Sequence, residues 1–393
     1  MAISTFGDTH SDPSPGRMLE STYEFLCRVS GDGWDQCRIL IEEWLAHCPA
    51  SARHDVVQRF QSRDDRQFTS AFWELYLHEM YRCDGWTVET HPDVTGVRTH
   101  PDFLVSKGGT SYYVEATCVF EGRNDNGASA RLNTVDDAIN KIFSPDFYLV
   151  RISERIGTKP LATKELRKSL EEWLAHLDPD EGDYSPSDPR PEHQFEWEYD
   201  DWHLAFRPMP RSPAFRGDTS SRRIGVSYDD SISHKDNGAE ELSAALHKKG
   251  RKYGNLPLLI AVNQASGDKT DWNTWEALYG TCTEYVGTPG QGQTLGLIKP
   301  GYWGSLALPE HRHVAGLLMA EGVHIWRVAE YAPAFWSHPY TTEPIKPLSL
   351  WRVASPDMNH TQYSNPLVTP YDHFGLPAQW PGGGWDLRAA NTQ

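Results

Sequence analysis

An α/β fold with a mixed central sheet flanked by helices is what this chain predicts, and three observations predict it. A helical stretch over 67–80 is followed by three short strand-like pieces at 85–89, 101–105 and 112–117. A second helical pattern starting at Ala239 runs into Leu258-Leu259-Ile260-Ala261-Val262-Asn263. That largely apolar run suits the middle of a parallel sheet, and a helix crossing back to it is the expected next unit of an α/β fold. Between these halves, residues 195–199 and 202–206 alternate like a hairpin around Asp200-Asp201.

Taken in order, residues 1–16 are rich in Ser, Pro, Gly and Asp and predict disorder. From 18 to 54, Trp34, Cys37, Ile39, Leu40, Ile41, Trp44 and Leu45 recur at helical spacing and Pro49 follows the stop. Residues 1–65 therefore read as a disordered start and a helical lead-in. A longer helix, or two joined, spans 56–82. Phe68, Phe72, Leu75 and Tyr76 share one stripe, and Gln67, Ser70, Glu74 and His78 lie on a neighbouring polar one. Gly108-Gly109 predicts a tight hairpin turn.

Past 118 the chain reads as a polar loop over 121–127, a helix over 132–143 and a strand over 147–152. An amphipathic helix over 163–177 carries Leu166, Leu170, Trp173, Leu174 and Leu177, and a Pro- and Asp-rich loop occupies 178–192. No catalytic constellation falls in this part, so 119–238 reads as an inserted α+β subdomain. A helix over 271–279 follows. The Gly-rich stretch 286–304 lacks the Gly-Lys-Ser/Thr of a phosphate loop. Strands are expected at 314–320 and 324–328. Residues 329–393, rich in Pro, Trp and His with little periodicity, predict an extended C-terminal arm.

Composition narrows the function classes. The 393 residues carry 37 Lys and Arg against 54 Asp and Glu, a formal charge of −17. That balance opposes broad nonspecific binding of nucleic acid, which needs clustered cations, while leaving room for a local basic groove. The six cysteines form no Cys-x-x-Cys pair, which disfavours a zinc ribbon and fits a reduced cytoplasmic protein. No basic-then-apolar leader and no apolar run of about 18 residues is present, so a soluble cytoplasmic protein with no membrane partner is expected.

Three acids stand in informative places: Glu74 mid-helix, Asp102 at the head of a strand, and Glu115 inside the apolar strand Tyr113-Val114-Glu115-Ala116. A carboxylate inside such a strand is costly to desolvate unless a cation or hydrogen bonds compensate it. Converging carboxylates are how proteins hold Mg²⁺ or Mn²⁺. Taken singly, each acid has a plainer reading: a turn cap after Pro101, a partner for an Arg or Lys, a solvated helix face.

In this order the three resemble a known family. An acid-bearing helix, Pro101-Asp102, twelve intervening residues and Glu115-Ala116-Thr117 resemble the core of the PD-(D/E)XK, restriction-endonuclease-like nucleases. Thr117 stands where that family usually has Lys. The resemblance implies a restriction-endonuclease-like core over 66–118 and 239–328 and metal-dependent hydrolysis of phosphodiester bonds, in DNA more than RNA. It implies Mg²⁺ or Mn²⁺ as cofactor, with Asp102, Glu115 and Glu74 as ligands, and a role in bacterial defence or DNA processing. In the family, the helix after the Glu-x-Lys strand packs over the active site, and in one subgroup it supplies a Gln with a Tyr four residues on.

Here that helix ends in His247-Lys248-Lys249-Gly250-Arg251-Lys252-Tyr253. Lys249 lies four before Tyr253, one helical turn away on the same face. Lys249 is thus the candidate to supply the ammonium that Thr117 cannot, which adds it to Glu74, Asp102 and Glu115 as a candidate catalytic residue. Thr117, Lys252 and Tyr253 are candidate substrate contacts. Alternatively the cluster is a solvated helix end favoured by the macrodipole. The missing strand Lys keeps a second class open: an inactive, nuclease-like module that binds nucleic acid or protein, with a protein partner or a second copy of the chain. His91, Asp93 and His100, and the Glu310, His311 and His313 group, read as loop residues more readily than as ligands.

Overall fold

Helices α1 (Thr22–Arg28), α2 (Asp32–His47), α3 (Ala50–Phe60) and α4 (Asp65–Cys83) precede the first strand in this computed structural model. It describes residues 4–382 apart from 15, 97, 121–125, 143–145, 181–183, 185–192, 218–223, 226–237, 266–270, 286–293, 306 and 357–360. Next come β1 (Thr87–Thr90), β2 (Phe103–Lys107) and β3 (Thr110–Val119), then α5 (Asn126–Ile139), β4 (Phe147–Arg155), α6 (Thr163–Leu174), β5 (Phe195–Tyr199), β6 (Trp202–Pro210) and β7 (Ile224–Gly225). The second half holds α7 (Gly238–Lys249), β8 (Leu258–Gln264), α8 (Asp271–Tyr279), β9 (Gly280–Tyr285), β10 (Thr294–Pro300) and β11 (Val314–Glu321). It closes with β12 (Ala334–Ser337), β13 (Arg352–Pro356), β14 (Thr361–Tyr363) and α9 (Pro370–Phe374).

The chain divides into two units. The first comprises Met1–Asp8, Gly31–Gly122 and Asp236–Trp385. Its eight-stranded sheet has the order β1-β2-β3-β8-β11-β12-β13-β14. Strands β1, β2 and β3 form an antiparallel meander, β3, β8 and β11 run parallel, β12 returns antiparallel to β11, and β13 runs parallel to β12. This is an α/β unit with a large mixed sheet. Every residue of β8 is buried, as a strand flanked by parallel neighbours and covered on both faces requires.

Strand β3 organises the helices through its alternation. Tyr112 lies toward α4, where its hydroxyl donates to that of Tyr81 at 3.2 Å. Cys118, of the same parity, meets Ser70 on α4. Tyr113, of the other parity, packs edge-on to Tyr253 in the segment after α7. Trp73 anchors α4 to the sheet, fully buried, with its Nε1 donating to the Ala261 carbonyl at 3.1 Å.

The second unit comprises Thr9–Ser30, Arg123–Lys235 and Asp386–Gln393. Its four-stranded sheet, β5-β6-β4-β7, carries a core of Leu149, Leu166, Leu170, Trp202, Leu204 and Phe206. The β5–β6 hairpin turns at Asp200-Asp201, with Asp200 at φ 53°.

Several expectations are corrected. Residues 4–14 are not featureless: Phe6 is buried and the Thr5 amide donates to Glu42 Oε1 at 2.6 Å. Residues 324–328 contain a single 3-10 turn, Ile325–Arg327, because Gly322, at φ 54° with its amide still bonded to Gln264 O, turns the chain after β11. The Gly-rich stretch contains a strand, β10, paired with β9, while 286–293 lie outside the described residues. So do most of the 178–192 loop and the start of the 121–127 loop. The C-terminal segment is not an extended arm up to Gly382. It supplies β12, β13 and β14 to the sheet, and His373 Nε2 donates to the Met80 carbonyl on α4 at 2.9 Å. Aromatic residues scattered without period are here single core contributions, such as Trp336 and Trp351, both buried.

Candidate functional site

The β2–β3 hairpin builds the centre of the site. Its two turn residues, Gly108 and Gly109, have φ 58° and 84°, both in the left-handed region that a type I′ turn requires and glycine adopts most readily. A turn there pairs Phe103 with Val114. Continuing that register one step puts Asp102 opposite Glu115 on the same face of the sheet. The spacing of twelve residues is thus the spacing a two-residue hairpin imposes. Asp102 Oδ2 also accepts the Ala116 amide at 2.7 Å, which fixes the carboxylate against β3.

Lys249 reaches this pair from α7. Leu242, Leu246 and Lys249 are spaced by four and three, so the buried stripe of the helix delivers Lys249 to the sheet at its last turn. The ammonium lies 2.6 Å from Glu115 Oε2 and 3.0 Å from Asp102 Oδ2. Tyr253 donates its hydroxyl to Glu115 Oε1. It does so from the loop after α7. The helix ends at Lys249, where Gly250 N bonds back to Leu246 O, so Lys249 and Tyr253 converge on Glu115 without sharing a helical face.

Two negative charges and one positive charge share this space, and proton affinities follow. Burial and the neighbouring Asp102 push the Glu115 carboxyl up to about 7, against the opposing pull of Lys249 and Tyr253. Burial draws the Lys249 ammonium downward, but the two acids outweigh it and hold its pKa above the ordinary range. Burial, then the carboxylate it faces, raises the Tyr253 phenol well above its usual value. The cluster keeps its ammonium charged and has one negative charge in excess, poorly stabilised on Glu115.

Glu74 is not brought into this cluster. It sits on α4, across the sheet from Glu115. Arg59 on α3 grips it in a bidentate pair, with Nη1 to Oε1 at 2.8 Å and Nη2 to Oε2 at 2.5 Å. The strand parity that turns Cys118 toward α4 turns Glu115 away from it. Sequence reasoning missed Arg59; it comes from the preceding helix, and only the packing of α3 against α4 makes it Glu74's partner. Thr117 is half-buried two residues beyond Glu115, and Lys252 is exposed. His100 pairs with exposed Asp93 at 3.3 Å, and His91 occupies a left-handed position at φ 47°. His311 and His313 lie beside the end of α7, His313 Nε2 bonding the Gly250 carbonyl at 3.0 Å.

For a divalent ion the arrangement fits in part. Asp102 and Glu115 already converge on one cation, the Lys249 ammonium, so the pair chelates positive charge. Asp102 is only partly buried, and its Oδ1 takes no hydrogen bond from a described residue. Glu74 does not complete the set, and among the described residues no group of three or more His, Cys, Asp or Glu is arranged to hold a metal. No helix of the described residues is long and apolar enough to cross a membrane. Comparison with family models, curated proteins and solved structures finds no match.

Proposed function

We propose that this protein is a metal-dependent nuclease of the restriction-endonuclease-like kind, in which Lys249 has replaced the strand lysine. One observation carries the reading: Lys249, 147 residues from Asp102 and 134 from Glu115, sets its ammonium within hydrogen-bond distance of both. A group needed only to solvate a helix end would point to water. Support also comes from element order, since α4, the β1–β3 meander, α7 and the parallel strand β8 are the helix-and-strand series the sequence resemblance implies.

In this reading Asp102 and Glu115 hold Mg²⁺ or Mn²⁺, and Glu74 serves α4 and α3 rather than the ion. An ion held there would supply Lewis acidity at a phosphate oxygen and a more acidic water. Lys249 contributes fixed positive charge where negative charge develops on the phosphate, and Tyr253 orients Glu115. The substrate is DNA more than RNA, approached past exposed Lys248, Arg251 and Lys252, a local basic patch on an acidic chain. The setting would be cytoplasmic, in bacterial defence or DNA processing.

A second reading has its own observation. Both oxygens of Glu115 are already bonded, and Glu74 is fully engaged by Arg59, as in a nuclease-like module that binds without cutting. A nicking assay on plasmid and oligonucleotide with Mg²⁺, Mn²⁺ or EDTA separates the two. The nuclease reading expects cleavage that needs the ion and disappears in Glu115→Ala. Binding of the oligonucleotide without cleavage under any of these conditions would favour the second reading.

A further inference from the structure

Lys249 is the last residue of α7, where an unsupported side chain would swing into water. Its neighbour Gly250 is held instead. A Cβ on residue 250 would lie 1.7 Å from Tyr302 Oη and 2.9 Å from Leu246 O, so only glycine lets the backbone pass against the tyrosine. Tyr302 is 1% exposed, and its ring stacks on His311 at 4.0 Å with 5° between planes. His311 holds a left-handed φ of 49°, a costly conformation for a residue with a Cβ. On the other side the His313 ring bonds the Gly250 carbonyl through Nε2 at 3.0 Å, and its own carbonyl accepts the Leu258 amide at 3.0 Å, where β8 begins. A carbonyl only accepts, so Nε2 of His313 carries the proton.

We infer that His313, together with Tyr302 closing against Gly250, is the positioning residue of the site: it locks Gly250 to the head of β8 and thereby aims Lys249 between Asp102 and Glu115. The inference rests on the reading of Lys249 as the charge-bearing group of that site. The chain from sheet to ammonium is short and each link is a contact: Leu258 to His313, His313 to Gly250, Gly250 to Lys249, Lys249 to the two acids. The histidine acts through its N–H alone, with no contact to substrate.

The test uses the full chain and a readout that does not need activity. A paired, sheltered lysine ammonium exchanges its protons slowly and gives a resolved ¹H–¹⁵N signal, assignable here by its loss in Lys249→Met. His313→Met, similar in size but without a donor, should raise Lys249 proton exchange about tenfold or more, the measure of a local opening made easier by about 1.4 kcal/mol. His313→Gln, whose amide reaches the Nε2 position, should restore the slow signal. Gly250→Ala, which leaves His313 intact, should release the ammonium in the same way. Nicking should follow the same order of variants. Equal, wild-type exchange in His313→Met and His313→Gln overturns the inference, and so does a Gln variant as fast as Met. Slow exchange that depends on His313 in a protein that never nicks leaves the positioning intact and removes the nuclease reading instead.

Discussion

Two glutamates of the first unit are buried almost completely, Glu79 on α4 at 1% exposure and Glu115 on β3 at 3%, and they are held in opposite ways. Burial pushes the Glu79 carboxyl upward, but Arg82 hydrogen-bonds it, with Nε 2.9 Å from each oxygen, and His47 adds a contact at 3.1 Å. Its partners outweigh burial and its pKa falls below the ordinary value. Glu115 shares a single ammonium with Asp102, and burial followed by that second carboxylate pushes its pKa up to about 7. The difference teaches that burial alone does not mark a functional acid. Glu79 has the Arg82 guanidinium to itself, whereas Glu115 shares one ammonium with a second carboxylate across the hairpin, which leaves that pair with negative charge in excess.

The largest effect that could break this contrast is on activity. Glu115→Ala and Lys249→Ala should each lower nicking by about 100-fold or more, while Glu79→Ala leaves the rate of the folded protein near wild type. Measured single-turnover rates check this, and a Glu79 variant as inactive as Glu115→Ala would erase the distinction. Next comes stability. Glu79→Ala should cost about 1–3 kcal/mol in denaturant unfolding, since Arg82 and His47 are exposed enough to be rehydrated once their partner is gone. A smaller effect sharpens the comparison: Lys249→Met removes the positive charge that an incoming ion would meet beside the two carboxylates. Titration calorimetry should show Mn²⁺ binding tightened by about tenfold, with Glu115→Gln abolishing it.

The smallest effect is in pH dependence, and the two acids should diverge in sign. The Glu79 pKa is lowered on folding, so its contribution is present above the ordinary carboxyl value and lost as pH falls through the folded one. The Glu115 pKa is raised to about 7 from 4.5, so its contribution is complete below 4.5 and lost as pH climbs through 7. Between pH 5 and 8, Glu115→Gln should therefore gain on wild type by on the order of a few degrees in Tm, while Glu79→Gln shows no such trend. Thermal scans across that range decide it.

Much of the site was legible because its spacing is local. The Gly108-Gly109 turn dictates which residues of one hairpin face each other, so Asp102 and Glu115 could be paired from the chain alone. Lys249 was legible as a basic residue on the helix before an apolar strand, since parallel pairing of β3 with β8 requires such a helix to cross the sheet. Glu74 was not, because its stripe on α4 fixes the angle around the helix and not the side of the sheet against which the helix packs. The C-terminal strands were hidden for a related reason. β12 to β14 are three to five residues long and take their order from neighbours already in the sheet, so no periodicity announces them.

By itself, then, the sequence determined the short-range geometry: helices from their stripes, an apolar central strand, and a hairpin that opposes two acids. Tertiary structure alone decided that Arg59 pairs with Glu74 and that the Lys249 ammonium reaches both Asp102 and Glu115, whereas Arg82 meets Glu79 within one turn of the same helix. The first two pairings depend on distances of a few ångströms between separate elements, and those distances exist only once the elements have packed together.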